Sequence, residues 1–162
     1  MGADLYIEKL QQPLRQKYEP LFEAAVRERD ALPPNSRKAR AAQKVVTKYY
    51  DLMYSKGYFR DSYNVSNVLN RLGLSWWVDV KPLCTRDRKL CDEQLRKFRD
   101  MVASAKLSLP SRQELKKQGG IVEDTGANSL AAWHKYFARE QTALLAFLNQ
   151  AIELDSAIRC SL

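Results

Sequence analysis

A chain of 162 residues, 45% hydrophobic and 28% charged, is long enough to bury a core and too apolar to stay wholly disordered. It holds no apolar run near the roughly 18 residues that a membrane-spanning helix needs, so a membrane partner is not expected. The formal net charge of +8 raises the question of an anionic partner, although it speaks of solubility and non-specific association first.

The opening MGADLYIEKL lacks the basic-then-apolar order of a secretion signal, and Tyr6 stands where a myristoylation signal carries Ser or Thr. After the short stretch from Asp4 to Leu10, Pro13 and Pro20 each suit the first turn of a helix, where a missing N–H costs nothing. PLFEAAVRERDAL, residues 20 to 32, reads as an amphipathic helix ended by Pro33 and Pro34. Asn35 or Ser36 can cap the next helix, which runs to about Ser55 before Gly57 stops it. Its apolar face is Ala42, Val46, Tyr49 and Met53. The opposite face carries Arg37, Arg40, Lys44 and Lys48, spaced to track phosphates. Exposed basic faces are more often plain solvated surface.

Residues 57 to 80, GYFRDSYNVSNVLNRLGLSWWVDV, gather aromatic and amide side chains. Two readings stand side by side. Such residues dominate recognition surfaces, so Tyr58, Arg60, Asp61, Tyr63, Asn64, Asn67, Trp76 and Trp77 are the candidate contacts for a ligand or partner. They also suit an irregular crossing, where Asn and Asp cap backbone groups and rings fill volume. Within it, Asn64 to Leu72 predicts two helical turns closed by Gly73, and LSWWVDV a brief strand or extended loop. In an extended segment Trp76 and Trp77 point oppositely, which would leave one of them exposed.

A long helix is expected from Thr85 to about Ala105, with Cys91, Leu95, Phe98, Val102 and Ala105 on one side. Arg88–Asp92, Lys89–Glu93, Glu93–Lys97 and Arg96–Asp100 then fall at the four-residue spacing that pairs charges along a helix. Pro110 and Ser111 open another helix, Ser111 and Glu114 having capping-box spacing, and Gly119 and Gly120 end it. Residues 119 to 128, GGIVEDTGAN, read as a loop. The final helix is expected from about Ser129 to Ile158, with Leu130, Trp133, Phe137, Leu144, Leu148 and Ile152 as its core stripe.

Chemistry leaves few marks. The three cysteines, Cys84, Cys91 and Cys160, suit free thiols in a reducing compartment better than a disulfide framework. Cys84 is the candidate for a lowered pKa, Cys91 lies on an apolar stripe, and Cys160 sits in a terminal tail and reads as inert. One histidine, His134, and no CxxC pair leave no zinc ligand set. GxSxG, P-loop, GxGxxG and HExxH patterns are absent, so no cofactor is implied and an enzyme is the weaker expectation.

The expectation is an all-α, single-domain bundle over 1 to 162, with about five main helices and an irregular aromatic-rich connection over 57 to 84. It is read as a cytoplasmic protein that contacts a protein or peptide partner through 58 to 79. The alternatives are non-specific nucleic-acid binding through 37 to 48, or a small enzyme of unknown reaction using Asp61, Tyr63 or His134. Leu144, Leu145, Phe147 and Leu148 spread around the last helix and suggest a homodimer as well as a core.

Overall fold

The computed structural model describes residues 2–120 and 128–162. Helix dominates, but the fold is not all-α: strands β1 (Gly2–Ile7), β2 (Tyr58–Ser62), β3 (Lys89–Leu90) and β4 (Ile158–Ser161) form one antiparallel sheet in the order β2-β1-β4-β3. The helices are α1 (Glu8–Asp30), α2 (Arg37–Met53), α3 (Val68–Arg71), α4 (Asp92–Ser104), α5 (Arg112–Lys117) and α6 (Leu130–Glu153). No helix among the described residues is long and apolar enough to cross a membrane. The expected loop at 119 to 128 lies outside the described residues over 121–127.

The chain packs as two compact units: residues up to Leu5 together with Phe59–Leu162, and Tyr6–Tyr58. The second unit is the helical hairpin of α1 on α2. Pro13 and Pro20 do not start helices; both lie inside α1. Their spacing of two helical turns places them on one exposed stripe, where the carbonyls they leave unpaired can face water. Ser36 caps α2 by accepting from the Ala39 N–H at 3.0 Å, and Val46 and Met53 are buried on the expected face. An aromatic ladder joins the two helices, from Phe22 through Tyr50 and Tyr54 to Tyr58 and Tyr6, with neighbouring centroids 4.6 to 6.2 Å apart.

In the first unit α4 packs on α6, and Phe98, Phe137, Leu144 and Leu148 are fully buried. The alternation of β1 turns Ala3 and Leu5 inward, and that of β4 does the same for Ile158 and Cys160. Two expected helices are shorter than their periodicity. The stretch that starts at Thr85 turns through a tight loop into β3, and α4 begins only at Asp92, so Arg88–Asp92 and Lys89–Glu93 are not helical pairs. The last helix stops at Glu153 because Asp155 adopts φ 46°. The Ser156 N–H then donates to the Ala151 carbonyl and the Asp155 N–H to that of Ile152, a Schellman closure built without glycine.

Two glycines separate backbone conformation from space. Gly73 closes α3 at φ +70° with nothing within 4 Å of an added Cβ, whereas at Gly57, φ +63°, a Cβ would meet Leu10 Cβ at 2.8 Å. Gly73→Ala is expected to cost about 1 kcal/mol and Gly57→Ala about 2 kcal/mol or more, read from urea unfolding midpoints. The α5 capping box gives a pH signature. Hydrogen bonds from the Ser111 backbone and hydroxyl hold the Glu114 carboxyl below its ordinary value. The stability it adds is therefore present above the unfolded carboxyl pKa and lost as pH falls through the lower, folded value. The stability gap between the native chain and Glu114→Gln is expected to close on that acid side and to stay constant near neutrality.

Candidate functional site

Strand β2 sorts the candidates by its alternation: Phe59 and Asp61 face inward and Arg60 outward. Arg60 Nε stands 3.7 Å from Asp4 Oδ1 on the neighbouring strand β1. Asp61 is only 3% exposed, which is unfavourable for a carboxylate unless donors replace the lost water. The N–H groups of Val68 and Leu69 donate to its two oxygens at 2.8 and 3.1 Å, and Trp76 Nε1–H donates at 2.8 Å. Burial pushes the carboxyl up from its ordinary value, and these hydrogen bonds pull it back. Asp61 thus caps α3 from outside while Asn67 caps it from within, accepting from the Asn70 N–H at 2.8 Å. Asn64 is spent locally as well, accepting from the Ser66 N–H at 3.0 Å and from its hydroxyl at 2.7 Å.

The segment expected as a strand or loop is neither. Trp76–Val80 forms a π-helical turn, in which the Val80 N–H reaches back to the Ser75 carbonyl at 3.3 Å. Ser75 and Asp79 clamp its start reciprocally. The Ser75 hydroxyl accepts from the N–H groups of Trp77 and Val78, and the Ser75 N–H donates to Asp79 Oδ2 at 2.7 Å. On this turn the tryptophans part. Trp76 is 2% exposed and meets Phe98 edge-on at 5.7 Å; Trp77 is 50% exposed and its neighbour Val78 73%. Lys81 Nζ lies 4.7 Å from the Trp77 ring centroid, within cation–π range, and the Tyr63 ring flanks it at 6.2 Å. The Tyr63 hydroxyl is buried with no hydrogen-bond partner among the described residues. Burial, then the charges of Asp4 and Asp61, push its pKa up.

The candidates therefore do not form one cleft. Tyr63 and Trp77 come together at a surface; Arg60 is exposed on the sheet; Asp61, Asn67 and Trp76 hold that region up from behind. Tyr58 belongs to the aromatic ladder of the other unit. Val78 and Lys81 went unnoticed in the sequence, where a helical period at 76 and 80 was the available signal. His134 Nε2 lies 3.0 Å from the Pro110 carbonyl oxygen, which ties its ring to the segment before α5. Arg37, Arg40, Lys44 and Lys48 are all exposed along α2. Leu144, Phe147 and Leu148 are consumed in the core, with Leu145 half-buried. No cluster of three or more His, Cys, Asp or Glu able to hold a metal exists among the described residues. Comparison with known protein families, curated proteins and solved structures finds no match to this chain.

Replacing Asp61 by Asn sets an amide N–H₂ against backbone or indole donors. That change is expected to cost about 3 kcal/mol, and Trp76→Phe, which removes one donor and some packing, about 2 kcal/mol. Urea unfolding of both variants checks the order; an unchanged midpoint for Asp61→Asn would refute the capping role.

Proposed function

We propose that this chain is a binding protein that seats a protein or peptide partner on the surface of Trp77, Val78, Tyr63 and Lys81. The carrying observation is that Trp77 is 50% and Val78 73% exposed on a turn whose adjacent residues Trp76 and Val80 are buried. A single exposed apolar side chain is ordinary. Two in succession, on backbone already clamped by Ser75 and Asp79, form an anchor whose ordering cost falls in folding and not in binding. A tryptophan beside a tyrosine and a cation has the composition of an interaction hot spot. The three cysteines, none of them in a disulfide, accord with a reducing, cytoplasmic compartment.

A second reading rests on α2. Arg37, Arg40, Lys44 and Lys48 are exposed on one helix face, and none forms an ion pair among the described residues, so all four cations are available to phosphates.

Peptides selected from a random display library against the whole chain are expected to lose roughly 30-fold in affinity on Trp77→Ala, the equivalent of about 2 kcal/mol. Equal binding to both proteins would overturn the proposal. For the α2 reading, affinity for a short duplex is expected to fall with salt at a log–log slope of about −0.9 per phosphate engaged. It is expected to weaken stepwise as the four cations are replaced by Gln; a salt-indifferent affinity would end that reading.

A further inference from the structure

We propose that two copies of this chain pair through one face of the α1–α2 hairpin, about a two-fold axis along the hairpin, and so make a four-helix bundle. A helix must bury its apolar stripe against another element, and here two helices of 23 and 17 residues bury only Gln11, Ala25, Val46 and Met53. Beside that thin seam runs a groove of about 490 Å³, lined by Ala25 and Glu28 of α1 and by Lys38, Ala41 and Val45 of α2. The groove is open: Val45 is 42% exposed, and Leu21, one turn before Ala25, is 44% exposed. Leu14 and Leu52, both half-buried, carry the same stripe two turns further from the connecting loop. The aromatic ladder does not cover it, because Tyr50 follows Val45 by five residues and is turned about 140° from it around α2.

The order of the residues selects a second copy as the occupant. Along α1, Leu14, Leu21, Ala25 and Glu28 are spaced seven, four and three, the repeat of a helix seam. Along α2, Lys38, Ala41, Val45 and Leu52 are spaced three, four and seven. Glu28 and Lys38 line the same groove, so the two series run level with each other in opposite order. A two-fold rotation about the long axis of the hairpin lays α1 of each copy on α2 of the other at the same height. Leu14 then meets Leu52, Leu21 meets Val45, Ala25 meets Ala41 and Glu28 meets Lys38, each contact occurring twice. The alanine pair lets the helices approach closely, and the aliphatic pairs fill the seam on a four-helix core. Neither Glu28 nor Lys38 has an ion pair among the described residues. An acidic or a basic foreign surface would answer one of these charges and oppose the other, whereas an identical copy answers both.

Sedimentation equilibrium of the full chain tests this. A mass near twice 18.7 kDa is expected at about 100 μM. Val45→Asp, at a position exposed in the single chain, is expected to weaken association about a hundredfold with the far-UV circular dichroism unchanged. Charge exchange identifies the face. Glu28→Lys and Lys38→Glu each set like charges against each other twice, and each is expected to lose about tenfold in self-association. Mixed in equal amounts they are expected to recover it, since every contact between positions 28 and 38 of the two variants is then opposite in sign. A mixture that associates no better than either variant alone overturns the proposal. So does a native chain that stays monomeric at that concentration, or a dimer that Val45→Asp leaves intact. Should Val45→Asp fail to fold, the mixed charge variants alone decide.

Discussion

A carboxylate withdrawn from water must recover its hydrogen bonds from the protein, and the way Asp61 does so organises the first unit. Its acceptors bind the first two N–H groups of α3 and the indole of Trp76. One side chain on β2 thus fixes where a one-turn helix begins and how a buried tryptophan is oriented. Helix α3 spans only four residues and could not persist on its own hydrogen bonds. It exists because Asp61, Asn67 and the Schellman closure at Gly73 satisfy its ends, while Val68, Leu69 and Leu72 are buried. Arg71 is drawn in behind them, with Gln118 accepting from its guanidinium at 3.1 Å and Phe137 under it at 5.4 Å.

The orientation of Trp76 has a consequence for Trp77. Adjacent side chains on a helical turn differ in direction by about 100°, so fixing one ring in the core with its N–H on Asp61 turns the next outward. Exposure of the second ring follows from burial of the first. The π-helical turn widens this effect, since Val80 rather than a nearer residue returns to the core and both Trp77 and Val78 are left outside. The same divergence of the two rings was expected from an extended segment; the outcome agrees, and the backbone conformation behind it does not.

What could be read from the sequence follows the strength of each period. Helices α2, α4 and α6 carry apolar stripes over three or more turns and are legible, as are the caps at Ser36 and Ser111. The sheet was missed because its strands are two to six residues long. In β1 the alternation of Ala3, Leu5 and Ile7 with polar or amphipathic neighbours was present, but it ran directly into the helical period of α1. In β2 an inward-facing Asp61 broke the pattern outright, and in β4 only Ile158 and Cys160 carry it. Glycine marked the ends of α3 and α5; Asp155 ended α6 without that mark, which is why the helix was expected to run on to Ile158.

The aromatic stretch shows why adjacency in sequence is a poor guide to a site. The boundary between the units falls between Tyr58 and Phe59, so neighbouring rings serve different cores. Helices α1 and α2 bury few large side chains and leave Leu21, Val45 and Tyr50 each more than 40% exposed. A hairpin with so thin an apolar interface needs other contact area, and the ladder of Tyr6, Tyr50, Tyr54 and Tyr58 supplies it. Tyr58 is committed there, Phe59 meets Phe147 at a tilt with centroids 5.8 Å apart, and Trp76 lies against Phe98. Once each ring with a packing duty in a core is set aside, Trp77 remains, half exposed with the Tyr63 ring beside it.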